Sequence, residues 1–128
     1  MKPPRKNPHG QHIRKWGYGY ASELPRDDKR HPKYKKQRAE RGFDGTELWN
    51  LDTTFAKFMA PRLRAFAEEM VCHPNGTTET EWAETIEKIA LGLDLMVTDD
   101  YFLMTKQQQR QVDTALKLFA QNIRGMWN

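Results

Sequence analysis

The sequence predicts an all-α protein with a basic, largely irregular N-terminal arm. Three observations support this prediction. Apolar residues recur at spacings of three and four after residue 43, and no useful length shows the alternation typical of a strand. An Asp or Thr is followed three positions later by Glu or Gln at three places, which is the signature of a capped helix start. Five of the seven prolines fall in the first 32 residues, where they leave no room for a regular helix.

The arm, residues 1–42, is distinguished by its charge. Residues 1–43 contain 13 Lys or Arg and 4 Asp or Glu, whereas residues 44–128 contain 8 and 13. The formal net charge of +4 therefore conceals a basic arm on an acidic body, an arrangement typical of proteins that contact phosphate backbones. A short helix is predicted over residues 33–41, with Pro32 in its first turn and Gly42 at its end.

The body, residues 43–128, is predicted to begin with a helix capped by Asp44 and Glu47, with Phe43 as the hydrophobic staple before it. The apolar residues expected on its core face are Leu48, Leu51, Phe55, Phe58, Met59, Leu63, Phe66 and Met70. Pro61 lies within this run and has no amide hydrogen, so a kink or a break is expected near residues 58–62.

Two further helices complete the predicted three-helix body. Thr78 with Glu81 caps the second, which is expected to run to about residue 98, and Thr105 with Gln108 caps the third, expected over residues 105–125. Their expected core residues are Trp82, Ile86, Ile89, Ala90, Leu93, Met96 and Val97, then Val112, Leu116, Phe119, Ala120 and Ile123, with Tyr101, Phe102, Leu103 and Trp127 as additional core residues.

Composition narrows the cellular setting. Cys72 is the only cysteine, so no intramolecular disulfide is possible and a reducing compartment such as the cytoplasm is expected. The first ten residues, MKPPRKNPHG, lack the apolar run of a signal peptide, and no stretch approaches the length of a membrane span.

Several short segments of the body resemble a known group of sequences. The segment LWNLD, the following AKF and PRL, and the ending LFAQNIRGMWN resemble a group of small, uncharacterised bacteriophage proteins. In that group an LWNLD helix precedes AKF and PRL segments, and the chain ends near LFA and a Trp-Asn or Trp-Asp. The resemblance covers residues 41–128 and implies a phage origin and a shared helical body, without implying a reaction.

Cations and aromatic rings alternate along the arm, which predicts a nucleic-acid-binding segment. Lys and Arg release counterions from a phosphate backbone, and exposed rings stack on unpaired bases. The candidate residues are Arg14, Lys15, Trp16, Tyr18, Tyr20, Arg26, Lys29, Arg30, Lys33, Tyr34, Lys35, Lys36, Arg38 and Arg41. Contact with an acidic protein surface and a solvated tail without a ligand remain alternatives. The rings of WGYGY would also suit docking along a groove or a sheet edge if that segment were extended.

Trp49, Asn50 and Asp52 form a second candidate site, either a partner-binding patch or a network that docks the arm. Metal and catalytic sites are not predicted. The histidines, His9, His12, His31 and His73, lack the paired spacing of a zinc site, and the adjacent Cys72 and His73 are unlike a nucleophile pair. Asp99 with Asp100, and Glu47 with Asp52, are better explained as residues at helix starts than as cation ligands.

The sequence thus predicts a non-enzymatic phage protein, without a cofactor, that binds DNA, RNA or a nucleic-acid-containing host complex in the host cytoplasm. The phage resemblance extends this prediction to inhibition of a host defence, as by an anti-CRISPR protein. The alternative is a virion structural or assembly protein whose arm laces into neighbouring subunits. The oligomeric state and the identity of the host partner stay open.

Overall fold

The computed structural model describes residues 16–70, 73–97 and 104–127. These ranges form four α-helices: α1 (His31–Arg41), α2 (Leu51–Glu69), α3 (Glu79–Met96) and α4 (Lys106–Asn122). Three short 3-10 helices lie at Tyr20–Glu23, Gly45–Leu48 and Ile123–Gly125. The described ranges contain no strand, so the all-α prediction is confirmed.

The chain divides into two compact units between Thr54 and Phe55. The first unit, described from residue 16, contains the 3-10 helix Tyr20–Glu23, α1 and the 3-10 helix Gly45–Leu48. The second unit contains most of α2 together with α3 and α4. The change from basic to acidic composition at residues 42–44 therefore lies inside the first unit.

Helix α1 ends where its sequence predicts and begins two residues earlier than expected. Pro32 lies in its first turn, where a missing amide hydrogen is tolerated because those amides have no partner within a helix. Gly42 ends the helix with φ of 89°, a left-handed conformation that glycine adopts without steric penalty. Its amide donates to the carbonyl of Arg38 over 2.9 Å.

The segment between α1 and α2 differs from its prediction. Asp44 and Glu47 do form a capping box, but the box begins the 3-10 helix Gly45–Leu48, and α2 begins only at Leu51. Helix α2 then continues through Pro61 without interruption, so the break expected near residues 58–62 does not occur. In the turn that contains Pro61, the Arg62 guanidinium donates to the carbonyl of Phe58 over 2.9 Å and stacks on the Phe58 ring.

The second unit has an apolar core formed by α2, α3 and α4. Every position predicted for α3 is buried except Val97, which is half-buried. Capping boxes of Thr78 with Glu81 and Thr105 with Gln108 begin α3 and α4 as predicted. The buried side chains of this core are Ala56, Ala60, Leu63, Trp82, Ile86, Ile89, Ala90, Leu93, Met96 and Val112.

Gly92 and Ala115 determine the close approach of α3 to α4. A Cβ atom added to Gly92 would overlap the Cβ of Ala115 and would lie 3.0 Å from the carbonyl oxygen of Gln111. The two helix backbones are therefore separated by little more than one methyl group at this point. Ala115 is 1% exposed, and the sequence pattern did not indicate it as a core residue.

The core face of α2 is largely as predicted, since Leu63 is buried and Phe55, Met59 and Phe66 pack against the core. The core face of α4 differs more from its prediction. Leu48 and Leu51 are 53% and 60% exposed; Leu48 belongs to the 3-10 helix, and Leu51 is the first residue of α2. The predicted core residues that are instead exposed are Phe58, Leu116, Ala120, Ile123 and Trp127. Met126, not Trp127, packs against the core at the end of the second unit. The predicted core residues Tyr101, Phe102 and Leu103 lie outside the described residues.

Candidate nucleic-acid interface

A buried ion pair lies at the centre of the first unit. The Arg38 guanidinium contacts the Asp44 carboxylate over 2.6 Å, with the two side chains 1% and 0% exposed. Asp44 also accepts from the amide of Thr46 over 2.9 Å, and its own amide donates to Glu47 over 2.7 Å. Because a buried charge needs both a counter-charge and hydrogen bonds, this network attaches α1 to the 3-10 helix Gly45–Leu48. Gln37 adds a second link, accepting from the Gly45 amide over 2.7 Å.

The glycines of WGYGY allow the chain before α1 to approach this network. Gly17 has φ of 71°, and a Cβ there would lie 2.5 Å from an Asp44 carboxylate oxygen. A Cβ on Gly19 would lie 2.6 Å from the backbone nitrogen of Glu47. The Ala21 amide then donates to the Thr46 hydroxyl over 2.9 Å. The two glycines thus have a packing role, and Tyr20 begins a 3-10 helix in place of an extended docking strand.

Most of the predicted phosphate-binding cations in the described residues are on the surface. Residues 29–41 contain seven Lys or Arg and one carboxylate, Glu40. The exposed predicted cations are Arg26, Lys29, Arg30, Lys33, Lys35, Lys36 and Arg41. Arg38 is the exception, because it is buried against Asp44. Arg14 and Lys15 lie outside the described residues.

Four of these exposed cations have no carboxylate within ion-pair distance among the residues that the structure describes: Arg26, Lys29, Lys33 and Lys35. Lys36 lies 3.8 Å from Glu40, a contact between two exposed side chains that contributes little. Arg41 stacks over the Phe43 ring at 4.3 Å and donates to the Phe43 carbonyl over 3.1 Å. Phe43 is itself 37% exposed, so this contact lies on the surface of the unit.

Arg30 forms a local ion pair immediately before α1. Its guanidinium donates to both Asp28 carboxylate oxygens over 3.0 Å, and its amide donates to Asp28 over 2.9 Å. These hydrogen bonds lower the pKa of Asp28 from 3.8 to about 2, and those from the Arg30 side chain have the largest effect. The same carboxylate raises the pKa of Arg30. This pair orders the turn that leads into α1.

The predicted stacking rings of the arm are mostly covered. Tyr34 is 6% exposed, and Tyr18 is half-buried. Trp16 is half-buried and meets the His31 ring edge-on, with centroids 4.9 Å apart. Tyr20 is half-buried and packs against Trp49, with centroids 5.8 Å apart and planes inclined by 31°. These rings therefore pack chiefly against the unit to which they belong.

The second candidate site contacts the arm. Trp49 packs on Tyr20, and the Asn50 side-chain amide donates to the Tyr20 hydroxyl. The interpretation of this site as an arm-docking network therefore matches the geometry of Trp49 and Asn50. Trp49 is nonetheless 55% exposed, and Asn50 and Asp52 are also exposed. Leu48 and Leu51 join them at the surface, which the helical spacing did not indicate.

The described residues hold no group of three His, Cys, Asp or Glu side chains that could bind a metal ion. His31 contacts the Pro25 carbonyl over 2.7 Å, and His73 contacts the Pro74 carbonyl over 3.2 Å. His9, His12, Cys72, Asp99 and Asp100 lie outside the described residues. Among the helices that the structure describes, each is too short or too polar to cross a lipid bilayer.

No protein-family model, curated protein or solved structure matches this chain.

Proposed function

We propose that this chain is a non-enzymatic phage protein that binds nucleic acid through the exposed cations on and before α1. The observation that carries the proposal is the concentration of positive charge in residues 29–41, where six of the seven cations are exposed. A polyanion with regularly spaced phosphates suits such a surface, because each Lys or Arg that contacts a phosphate releases condensed counterions.

The buried ion pair of Arg38 with Asp44 holds the cationic surface of α1 in a defined shape. Arg38 and Tyr34 attach one face of α1 to its own unit, so that Lys33 and Lys36 lie on exposed positions of an ordered helix. Ordered cations lose less conformational entropy on binding than cations of a disordered segment. Residues 1–15 add five Lys or Arg and no carboxylate, which increases the positive charge of the same half of the chain.

The proposed setting is the host cytoplasm, with free nucleic acid or the nucleic acid of a host complex as the ligand. Interference with a host defence complex, as by an anti-CRISPR protein, is the proposed biological outcome and rests on the resemblance to phage proteins. The helical body would then contact the protein part of that complex.

The proposal is tested with a matched pair of charge variants in the full-length chain. The variant Lys29→Gln/Lys33→Gln/Lys35→Gln removes three exposed cations of the first unit. The control Lys88→Gln/Lys106→Gln/Lys117→Gln removes three exposed lysines of the second unit and gives the same net charge. Binding to labelled DNA and RNA is measured by fluorescence anisotropy at about 0.1 M salt.

The first variant should weaken binding about a hundredfold, because three phosphate contacts are lost, while the control stays within about threefold of the wild type. Equal losses in both variants would show that net charge alone causes binding, and the α1 surface would then not be the interface. Purification of tagged protein from infected cells, with and without nuclease, separates nucleic-acid-dependent partners from acidic proteins. Co-purification with particles would favour the virion alternative.

A further inference from the structure

The aromatic side chain best placed to stack on a ligand lies outside the arm. Trp16, Tyr18, Tyr20 and Tyr34 are half-buried or buried. Trp49 in the same unit exposes 55% of its surface. An exposed indole in a unit rich in exposed cations combines the two features that sequence-tolerant binding of single strands requires, a ring and a positive surface.

Trp49 is held in place by contacts on its backbone and its ring. Its amide donates to the carbonyl of Thr46 over 3.2 Å, at the end of the 3-10 helix Gly45–Leu48. The Tyr20 ring packs beside the indole, and Asn50 donates to the Tyr20 hydroxyl. A base that stacks on Trp49 would therefore extend an aromatic pair that is already ordered, so little entropy is lost on binding.

We propose that Trp49 is a stacking platform for an unpaired base, and that the first unit accordingly prefers single-stranded to double-stranded nucleic acid. This inference rests on the proposed nucleic-acid-binding function and adds the class of ligand to it. The base faces of a duplex are covered by neighbouring base pairs, whereas those of a single strand are accessible to an indole.

The groups around Trp49 fit a base better than a phosphate. Asn50 is exposed, and its side-chain amide can both donate a hydrogen bond to a base edge and accept one from it. Asp52 is exposed three residues after Trp49, and its carboxylate repels phosphate. The bases of a bound strand thus face this site, while its phosphates face the lysines on and before α1. Leu48 and Leu51 provide additional apolar contact for the base or the sugar.

The test compares Trp49→Ala with Trp127→Ala in the full-length chain. Trp127 is a suitable control because it is 73% exposed and lies in the second unit. The probes are a labelled strand of about 12 nucleotides and the same strand annealed to its complement. We expect Trp49→Ala to weaken single-strand binding about tenfold and duplex binding less than about twofold. The control should change neither affinity by more than about twofold, and Trp49→Phe should retain most single-strand affinity.

Tryptophan fluorescence provides a second readout. Single strands should quench the emission of the Trp127→Ala variant, since a base stacks on Trp49, and should quench Trp49→Ala much less. Equal single-strand affinity of the Trp49 and Trp127 variants would overturn the stacking inference while the lysine variants still test the proposed function. The inference is likewise overturned if Trp49→Ala weakens duplex and single-strand binding equally, or only abolishes capture of a host protein. Failure of the wild type to bind either probe would overturn both proposals.

Discussion

At the scale of single residues, Arg38 shows how a side chain acquires its role from its surroundings. In the sequence it is one of several cations in a basic stretch, yet it is 1% exposed and pairs with Asp44 at 2.6 Å. Its neighbours Lys35 and Lys36 are exposed. Arg38 lies four positions after Tyr34, so the two side chains share the face of α1 that is buried in the first unit.

We predict that Arg38→Ala destabilises the first unit by about 3–5 kcal/mol, because it leaves the Asp44 carboxylate buried without its counter-charge. A small domain has a total stability of about 5–15 kcal/mol, so the change is a large fraction of it. The free energy of unfolding is measured by urea denaturation followed by circular dichroism.

Arg41→Ala is the matched control, since Arg41 belongs to the same helix and is exposed. It should change the stability by less than about 1 kcal/mol. The stability of Arg38→Lys should lie between those of Arg38→Ala and Arg41→Ala, because lysine keeps the charge but cannot reproduce the planar geometry of the guanidinium. If Arg38→Ala and Arg41→Ala were equally stable, the ion pair would not hold α1 in the first unit.

Asp28 provides a prediction of pH dependence. Hydrogen bonds from Arg30 lower its pKa from 3.8 to about 2, so the folded protein binds this proton less tightly than the unfolded chain does. Its stabilising contribution is therefore present above about pH 4 and is lost as the pH falls through about 2. An NMR titration of the Asp28 carboxyl should show the lowered pKa, and Arg30→Gln should return it towards 3.8. An unchanged pKa in Arg30→Gln would contradict this origin of the shift.

At the scale of elements, the helix starts depend on local chemistry. All three capping boxes that the sequence indicates are formed, because each satisfies amides within four residues of itself. The type of helix that each box begins is not determined so locally. The Asp44 box begins a 3-10 helix, and contacts from Ala21 and Arg38 hold that segment against its own unit.

The contact of α3 with α4 gives a prediction for an element pair. Gly92→Ala should destabilise the protein by about 1–3 kcal/mol through overlap with Ala115, although alanine is the better helix former. The exchange Gly92→Ala/Ala115→Gly should recover most of the loss, because one methyl group again separates the helices. Ala115→Gly alone completes the double-mutant cycle, and the stability of all four proteins is measured by thermal unfolding. Additive effects of the two substitutions would show that the helices do not meet at this pair.

At the scale of the whole molecule, the distribution of charge matters more than its sum. Residues 1–54 contain 13 Lys or Arg and 7 Asp or Glu, whereas residues 55–128 contain 8 and 10. The first unit is therefore the half of the chain to which the proposed binding of a polyanion is assigned. If the proposed binding occurs, it should depend steeply on salt, because contacts of Lys and Arg with phosphates release counterions.

If about six exposed cations of the first unit contact phosphates, the logarithm of affinity should fall by roughly 4 per tenfold increase in salt for single strands and roughly 5 for duplex. The variant Lys29→Gln/Lys33→Gln/Lys35→Gln should reduce the magnitude of this slope by about 2 to 3, because each phosphate contact contributes about 0.7 to 0.9. Anisotropy titrations at several salt concentrations measure it. A slope near zero in the wild type would exclude a phosphate-binding surface.

Substitution is a sharper test of the basic arm than removal of residues 1–42. Deletion of that segment would remove Arg38 and leave the Asp44 carboxylate without its partner, so loss of binding could result from unfolding. The lysine substitutions leave the buried network unchanged, since all three side chains are exposed.

The sequence by itself determined the helical class, the three capped starts, the glycine end of α1 and the buried face of α3. These features depend on hydrogen bonds and on apolar periodicity within a few turns of the chain. Such local interactions can be predicted from the spacing of residue types in the sequence. Only the tertiary structure decided that Arg38 and Tyr34 are buried, that Gly92 and Ala115 meet, and that Leu48, Trp49 and Leu51 are exposed. Each of these outcomes depends on packing between residues far apart in the chain, or on the 3-10 helix that replaces the predicted first turn of the body.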